Sequence, residues 1–214
     1  MTDVFEALRT CRIVPVVKLP NVGCAERLGR ALLAGGITCI EVTFRSAAAE
    51  EGIKVLSGVP GLLVGAGTIR SPEQVSAAQR AGARFVVSPG LREDVVRHAL
   101  ASGIAVSPGV CTPTEVEQAL DLGVKVLKFF PAESFGGTGT LKALGAVYPG
   151  VPFMPTGGIN EKNLPEYLAL ENVLCCGGSW LADTKLLSEE RFDEIERRAR
   201  EASNLARSPS RTAH

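Results

Sequence analysis

Three successive stretches decide how this chain folds: Ala81 to Gly90, A-G-A-R-F-V-V-S-P-G; Ala101 to Gly109, A-S-G-I-A-V-S-P-G; and Asp121 to Pro131, D-L-G-V-K-V-L-K-F-F-P. Each runs through a glycine stop, a short β-branched run, and a turn at Pro or Gly. The stops, Gly82, Gly103 and Gly123, recur after 21 and then 20 residues. Glycine ends a helix because it tolerates the left-handed conformation, and Val and Ile then favour a strand. A unit of this length, repeated, is a helix followed by a strand, which is the signature of parallel βαβ architecture.

Working outward, the same punctuation predicts eight strands, at 13–18, 39–44, 63–67, 85–88, 104–107, 124–129, 153–155 and 173–177. Helices are predicted at 25–34, 72–81, 93–101, 113–122 and 188–206, with an extra one at 2–8 ahead of the first strand. Ser71-Pro72 and Thr112-Pro113 read as helix starts, a hydroxyl cap followed by Pro in the first turn. Eight strand–helix units in one domain, residues 1–205, are the pattern of a compact TIM (β/α)8 barrel with an added N-terminal helix. A doubly wound open sheet is the alternative, but Gly65-Ala66-Gly67-Thr68 lacks the third glycine of a dinucleotide-binding turn. The polar end, 206–214, is expected to be disordered.

Composition narrows the function. The 214 residues carry 23 Lys+Arg against 23 Asp+Glu, a balance that offers no basic stripe and argues against nucleic acid as a partner. No uncharged apolar stretch spans a membrane without Pro and Gly breakers, and the first ten residues, M-T-D-V-F-E-A-L-R-T, are no signal peptide. A cytoplasmic location follows as the expectation. The six cysteines contain no C-x-x-C pair and are expected to be reduced thiols. Only His98 and His214 are present, which argues against a histidine-rich metal site and against a Ser-His-Asp triad.

In a barrel of this kind chemistry sits at the C-terminal ends of the strands. Two charged residues stand there among apolar neighbours. Lys128 lies between Leu127 and Phe129. Desolvation disfavours an ammonium, and a neutral amine can attack a carbonyl to form a Schiff base. The plainer alternative is a strut, a lysine paired with a carboxylate. Glu41 belongs to C-I-E-V-T-F-R, where alternation puts Glu41, Thr43 and Arg45 on one face and Ile40, Val42 and Phe44 on the other. The apolar face suits the helix layer, so Glu41 is expected to point inward, as a carboxylate fit for moving protons. Its plainer alternative is a pair with Arg45 or Lys128. Arg45 could grip a substrate carboxylate with two prongs.

The rim adds binding candidates. Thr68 offers a hydroxyl beside small residues, and Ser88-Pro89-Gly90 and Ser107-Pro108-Gly109 close the fourth and fifth strands as rim turns. Thr156-Gly157-Gly158-Ile159-Asn160 follows the seventh strand and Gly177-Gly178-Ser179-Trp180 the eighth. Glycine pairs there can present backbone N–H groups to a phosphate. Glu133 is a competing base, Lys18 a competing amine, and Lys125 is expected to be solvated.

Taken together, E-V-T-F-R, G-A-G-T, S-P-G, K-F-F-P-A-E, P-T-G-G-I-N and G-G-S-W, in this order from Ile13 to Leu181, resemble the class I aldolases for 2-keto-3-deoxy-6-phosphogluconate and 4-hydroxy-2-oxoglutarate. The resemblance implies a carbon–carbon lyase acting on a small phosphorylated 2-keto acid, with no cofactor and no metal, assembled as a homotrimer. It implies that Lys128 forms the Schiff base and Glu41 is the general acid and base. It implies that Arg45, Thr68, Pro89, Phe130, Thr156, Gly157, Gly158 and Ser179 bind substrate, Gly157, Gly158 and Ser179 at the phosphate. A galactonate-configured relative, a phosphosugar isomerase or synthase using Glu41 as base, and a non-catalytic phosphometabolite-binding barrel are the competing readings.

Overall fold

The computed structural model describes residues 3–207. Strands and helices alternate along them: α1 (Val4–Cys11), β1 (Ile13–Val17), α2 (Ala25–Ala34), β2 (Cys39–Thr43), α3 (Ala49–Ser57), β3 (Leu63–Gly67), α4 (Pro72–Arg80), β4 (Phe85–Val87), α5 (Glu93–Ala101), β5 (Ala105–Ser107), β6 (Gly109–Val110), α6 (Pro113–Asp121), β7 (Leu127–Phe129), α7 (Gly137–Val147), β8 (Phe153–Pro155), α8 (Leu164–Leu168), β9 (Cys176–Gly178), α9 (Thr184–Ser188) and α10 (Phe192–Arg207). Every strand pair is parallel.

Local chemistry sets these boundaries. The Ser71 side chain accepts from the Gln74 N–H at the start of α4, with Pro72 in the first turn. Thr112 and Glu115 close a reciprocal capping box at the start of α6. The stop glycines take φ of 99° at Gly82, 70° at Gly103 and 83° at Gly123, a conformation that side chains resist. The helix expected at 2–8 forms at Val4–Cys11, Thr2 lying outside the described residues. The helix expected at 188–206 is two, because the chain turns through a left-handed Glu190 between α9 and α10. Of the tail expected to be disordered, Ala206 and Arg207 end α10, and residues 208–214 lie outside the described part.

The closed eight-strand (β/α)8 barrel does not form. The strands make two parallel sheets that curl around one interior, a six-stranded one in the order β5-β4-β3-β2-β1-β9 and a three-stranded one in the order β6-β7-β8. The expected fifth strand, 104–107, forms as β5, and a further short strand, β6, follows it past Pro108, where a rim turn was expected. Ser107 belongs to the β4 pairing, whereas Gly109 pairs with Lys128. Proline has no N–H to give to a ladder, and its carbonyl turns instead to the Lys128 N–H at 2.9 Å. On the other side, among the described residues, the sheets meet through two isolated bridges, Phe153↔Val173 and Thr156↔Gly177. The expected strand at 124–129 is correspondingly short, three residues long.

Strand alternation separates two cores. Ile40, Val42, Val64, Val86, Val106, Leu127, Phe129 and Phe153 face outward and pack on Leu28, Leu32, Ile53, Val75, Val95 and Ile195 of the helices. Val14, Cys39, Phe85, Val87, Val126 and Met154 face inward and fill the base of the curl, with Leu8 of α1 packed in the same cluster. Burying such a side chain contributes roughly 1.5–3 kcal/mol. These inner residues leave the opposite, C-terminal end of the strands to polar side chains.

Candidate active site

Glu41 and Lys128 meet at that end. The outer packing of Ile40 and Val42 turns Glu41 inward from β2, and that of Leu127 and Phe129 turns Lys128 inward from β7. Glu41 is fully buried and Lys128 is 5 % exposed. Lys128 Nζ lies 3.9 Å from Glu41 Oε1 and 4.9 Å from the centre of the Phe130 ring. At 3.9 Å the two charges attract, but the separation is too long for a hydrogen bond. Both Glu41 oxygens lack a hydrogen-bond partner. A buried acceptor left unsatisfied costs about 1–3 kcal/mol, more when charged, so this carboxylate is held at a price the fold does not recover locally.

The strut reading is met in part, since Glu41 and Lys128 do pair. The alternative pairing with Arg45 does not occur among the described residues. Arg45 is exposed, and its Nε donates to Thr43 Oγ1 at 3.2 Å while that hydroxyl donates to the Val17 carbonyl at 3.0 Å. This relay steers the guanidinium along the rim. Glycine at 67 is a steric demand of the same carboxylate, for a Cβ there would collide with Glu41 Oε1. The next residue, Thr68, sits at φ 57°. A β-branched residue in that region is strained, and such strain concentrates where a site over-determines the backbone.

The other rim candidates fall on the same end. Pro89 is half-buried, and its carbonyl occupies the space where a Cβ of Gly109 would go, so the two S-P-G turns pack backbone on backbone. Thr156 is buried with an unpartnered Oγ1, its N–H bonded to the Phe129 carbonyl at 2.9 Å. Gly157 and Gly158 follow, half-buried and exposed respectively, and Ser179 is exposed just beyond β9. The single bridge Thr156↔Gly177 brings these two glycine-rich turns side by side. Lys18 and Lys125 are both exposed, and neither is paired with Glu41.

Glu133 is engaged elsewhere. It accepts a short hydrogen bond from the Tyr167 hydroxyl, whose proton is held by burial first and by that carboxylate second. Its side chain also occupies the space beside Gly158, and its N–H bonds the Gly157 carbonyl at 3.1 Å. It buttresses the turn from behind. Sequence reasoning placed Glu133 at the rim sooner than at the chemistry, but missed its Tyr167 partner, the steric role of Gly67, and the inward Ser107, buried with an unpartnered Oγ. The repeated S-P-G was the available signal for Ser107; the other two depend on partners from distant strands. Among the described residues no group of His, Cys, Asp and Glu is arranged to hold a metal ion.

The chain is similar to known proteins over nearly all of its length. The family model for KDPG and KHG aldolases matches residues 4–198. The 2-dehydro-3-deoxy-phosphogluconate aldolase of Treponema pallidum is 47% identical over 196 residues, covering 91% of this chain and 93% of that one. The 2-keto-3-deoxy-6-phosphogluconate aldolase of Zymomonas mobilis, solved with 3-phosphoglycerate, superposes with a TM-score of 0.89 at 39% identity, covering 97% of this chain and 98% of that one. The KDPG aldolase of Legionella pneumophila, solved with pyruvate captured as a covalent carbinolamine intermediate, gives a TM-score of 0.89 at 38% identity over 93% of this chain and 97% of that one. With a buried lysine–glutamate pair at the mouth of a curled parallel barrel and these matches over nearly all of its length, the chain belongs to the KDPG and KHG aldolase family of lyases.

Proposed function

We propose that this aldolase cleaves 2-dehydro-3-deoxy-6-phosphogluconate to pyruvate and glyceraldehyde 3-phosphate, and 4-hydroxy-2-oxoglutarate to pyruvate and glyoxylate, through a Schiff base on Lys128. The observation that carries the reading is the buried pair itself, Lys128 Nζ at 3.9 Å from a carboxylate that accepts no hydrogen bond. Nζ adds to the C2 ketone, giving a carbinolamine. Loss of water, with its proton moved by Glu41, leaves the iminium. Glu41 then takes the C4 hydroxyl proton, the C3–C4 bond breaks, the aldehyde departs, and its electron pair rests in an enamine. Proton return to C3 and hydrolysis free pyruvate and the amine. One carboxylate able to reach each of these protons must be uncommitted to the protein, and Glu41 is.

Around that centre, Arg45 and Thr68 hold the pyruvyl carboxylate, Pro89 and Phe130 wall the chain of the substrate, and Thr156, Gly157, Gly158 and Ser179 receive the phosphate. The trapped carbinolamine of the Legionella relative and the phosphorylated three-carbon acid bound by the Zymomonas one support both ends of this arrangement. Residues 1–205 act as one domain, and family membership supports a homotrimer in the cytoplasm, which light scattering on the purified protein checks. No described helix is long and apolar enough to cross a membrane.

The test is pyruvate with borohydride. The wild-type chain is expected to lose activity irreversibly and to gain a reduced pyruvyl group on the peptide containing Lys128. The Lys128→Met variant should give neither label nor turnover. Labelling of another lysine, or near-normal turnover in the variant, would remove Lys128 from the mechanism.

A further inference from the structure

We infer that Cys11 and Cys39, at the base of the barrel, form a peroxide-sensitive dithiol that closes into an intramolecular disulfide. Cys11 is the last residue of α1 and Cys39 the first of β2. Both thiols donate to one acceptor, the Ile13 carbonyl, each at 3.3 Å. The two thiols are also close enough for each to affect the proton of the other. Two side chains that converge on one carbonyl oxygen bring their sulfurs to the same place, and a disulfide between them requires rotation of each side chain about its own bonds.

The two thiols differ in the way that peroxide chemistry requires. Cys11 is half-buried, with one side open to solvent, whereas Cys39 is 1 % exposed. The neighbouring Cys39 side chain first, and Thr38 after it, hold the Cys11 thiol down to about 6 against the opposing effect of burial. Burial pushes the Cys39 thiol up. The reachable sulfur is thereby the more acidic of the two and the sheltered one holds its proton more tightly. The Cys11 thiolate attacks one oxygen of hydrogen peroxide, the O–O bond breaks, and hydroxide leaves, which gives a sulfenic acid once the proton balance is restored. Cys39 then attacks the sulfenic sulfur and passes its proton to the departing hydroxyl. Water leaves and the S–S bond forms. In sum, two thiols and one peroxide give one disulfide and two waters.

The bond would tie α1, whose Leu8 packs into the base of the barrel, to the strand that carries Glu41 two residues further on. Cys175 is the neighbour that could compete, as it lies buried in the same inner cluster and within electrostatic reach of both. Neither the family chemistry nor the mouth of the barrel uses any of the three.

The experiment treats the full-length wild-type chain with hydrogen peroxide, alkylates remaining thiols, and maps disulfides by mass spectrometry without reduction. The expected result is the loss of two hydrogens from the intact mass, one cross-linked peptide joining Cys11 to Cys39, and full reversal by dithiothreitol. Cys39→Ser should instead leave a sulfenic acid at Cys11 that dimedone captures. Because the wild-type map needs no variant, a misfolded variant cannot rescue or defeat the inference. A cross-link through Cys24, Cys111, Cys175 or Cys176, oxygen addition without a cross-link, or unmodified Cys11 under conditions that oxidise other thiols would each overturn it.

Discussion

The two ends of the barrel interior are lined from the same strands by opposite chemistry. On β2 the inward residues run Cys39, Glu41, Thr43; across β7 and its lead-in they run Val126, Lys128; through β8 they run Met154, Thr156. Each stripe passes from apolar to polar in two residues, a rise of about 7 Å. At the base Leu8, Val14, Phe85 and Met154 are all at or below 1 % exposure and satisfy one another by packing. At the mouth Glu41, Ser107 and Thr156 are also buried, at 0, 3 and 6 % exposure, yet carry oxygens without partners. The difference teaches where stability and reactivity are made. The base holds the strands together, so that the mouth can keep polar atoms in a state that packing would otherwise remove.

That contrast can be broken at graded cost. The largest effect after removal of Lys128 is expected from Glu41→Gln, which keeps the shape but not the proton transfer. Turnover should fall by about two to four powers of ten, while pyruvate and borohydride still label Lys128. Steady-state kinetics beside the labelling experiment separates the two steps, and near-normal turnover would move the acid–base role to another group. Gly67→Ala probes position alone, since its Cβ would push the Glu41 carboxylate aside. Roughly a hundredfold loss in kcat/KM is expected, as for a misplacement of about 1 Å, with an unchanged circular dichroism spectrum. At the other end, Leu8→Ala should cost about 2–5 kcal/mol of stability, read as a lower denaturant midpoint, and leave kcat of the folded enzyme untouched. A matching drop in kcat would mean that base and mouth are coupled more tightly than their separate packing indicates.

Much of the fold was legible because its signals are local. Ser71 and Thr112 cap the helices that follow them, and the glycine stops sit where a left-handed residue is needed. The bounds Ala25–Ala34 and Glu93–Ala101 follow from hydrophobic period and punctuation with no help from distant residues. Closure was not legible. The turn after the strand at 104–107 gave no sign of a further strand, and only the pairing of Gly109 and Val110 with β7, beyond Pro108, makes one. The change of partner at Pro108 left two curled sheets where an unbroken eight-strand ring was expected.

The candidate site divides along the same line. Glu41 and Lys128 stood out in the sequence because a charge inside an apolar strand needs an explanation. Gly67 read only as one of the small residues ending the third strand, and its reason is the glutamate on the neighbouring strand. Glu133, five residues past Lys128 and beyond the strand, read as a rim residue sooner than a base, but its partner Tyr167, far along the chain, came only from the structure.

By itself, then, the amino-acid order determined the succession of parallel units, the outward and inward faces of each strand, and the two charges turned inward. These depend on residues within one element, where period and capping act over a few bonds. Only the tertiary structure decided that the strands part into two sheets, that the carboxylate stays unbonded 3.9 Å from the amine, and that two thiols share one carbonyl at the base. Those outcomes arise between elements, from atoms that meet only after the chain has closed and excluded water from the space they share.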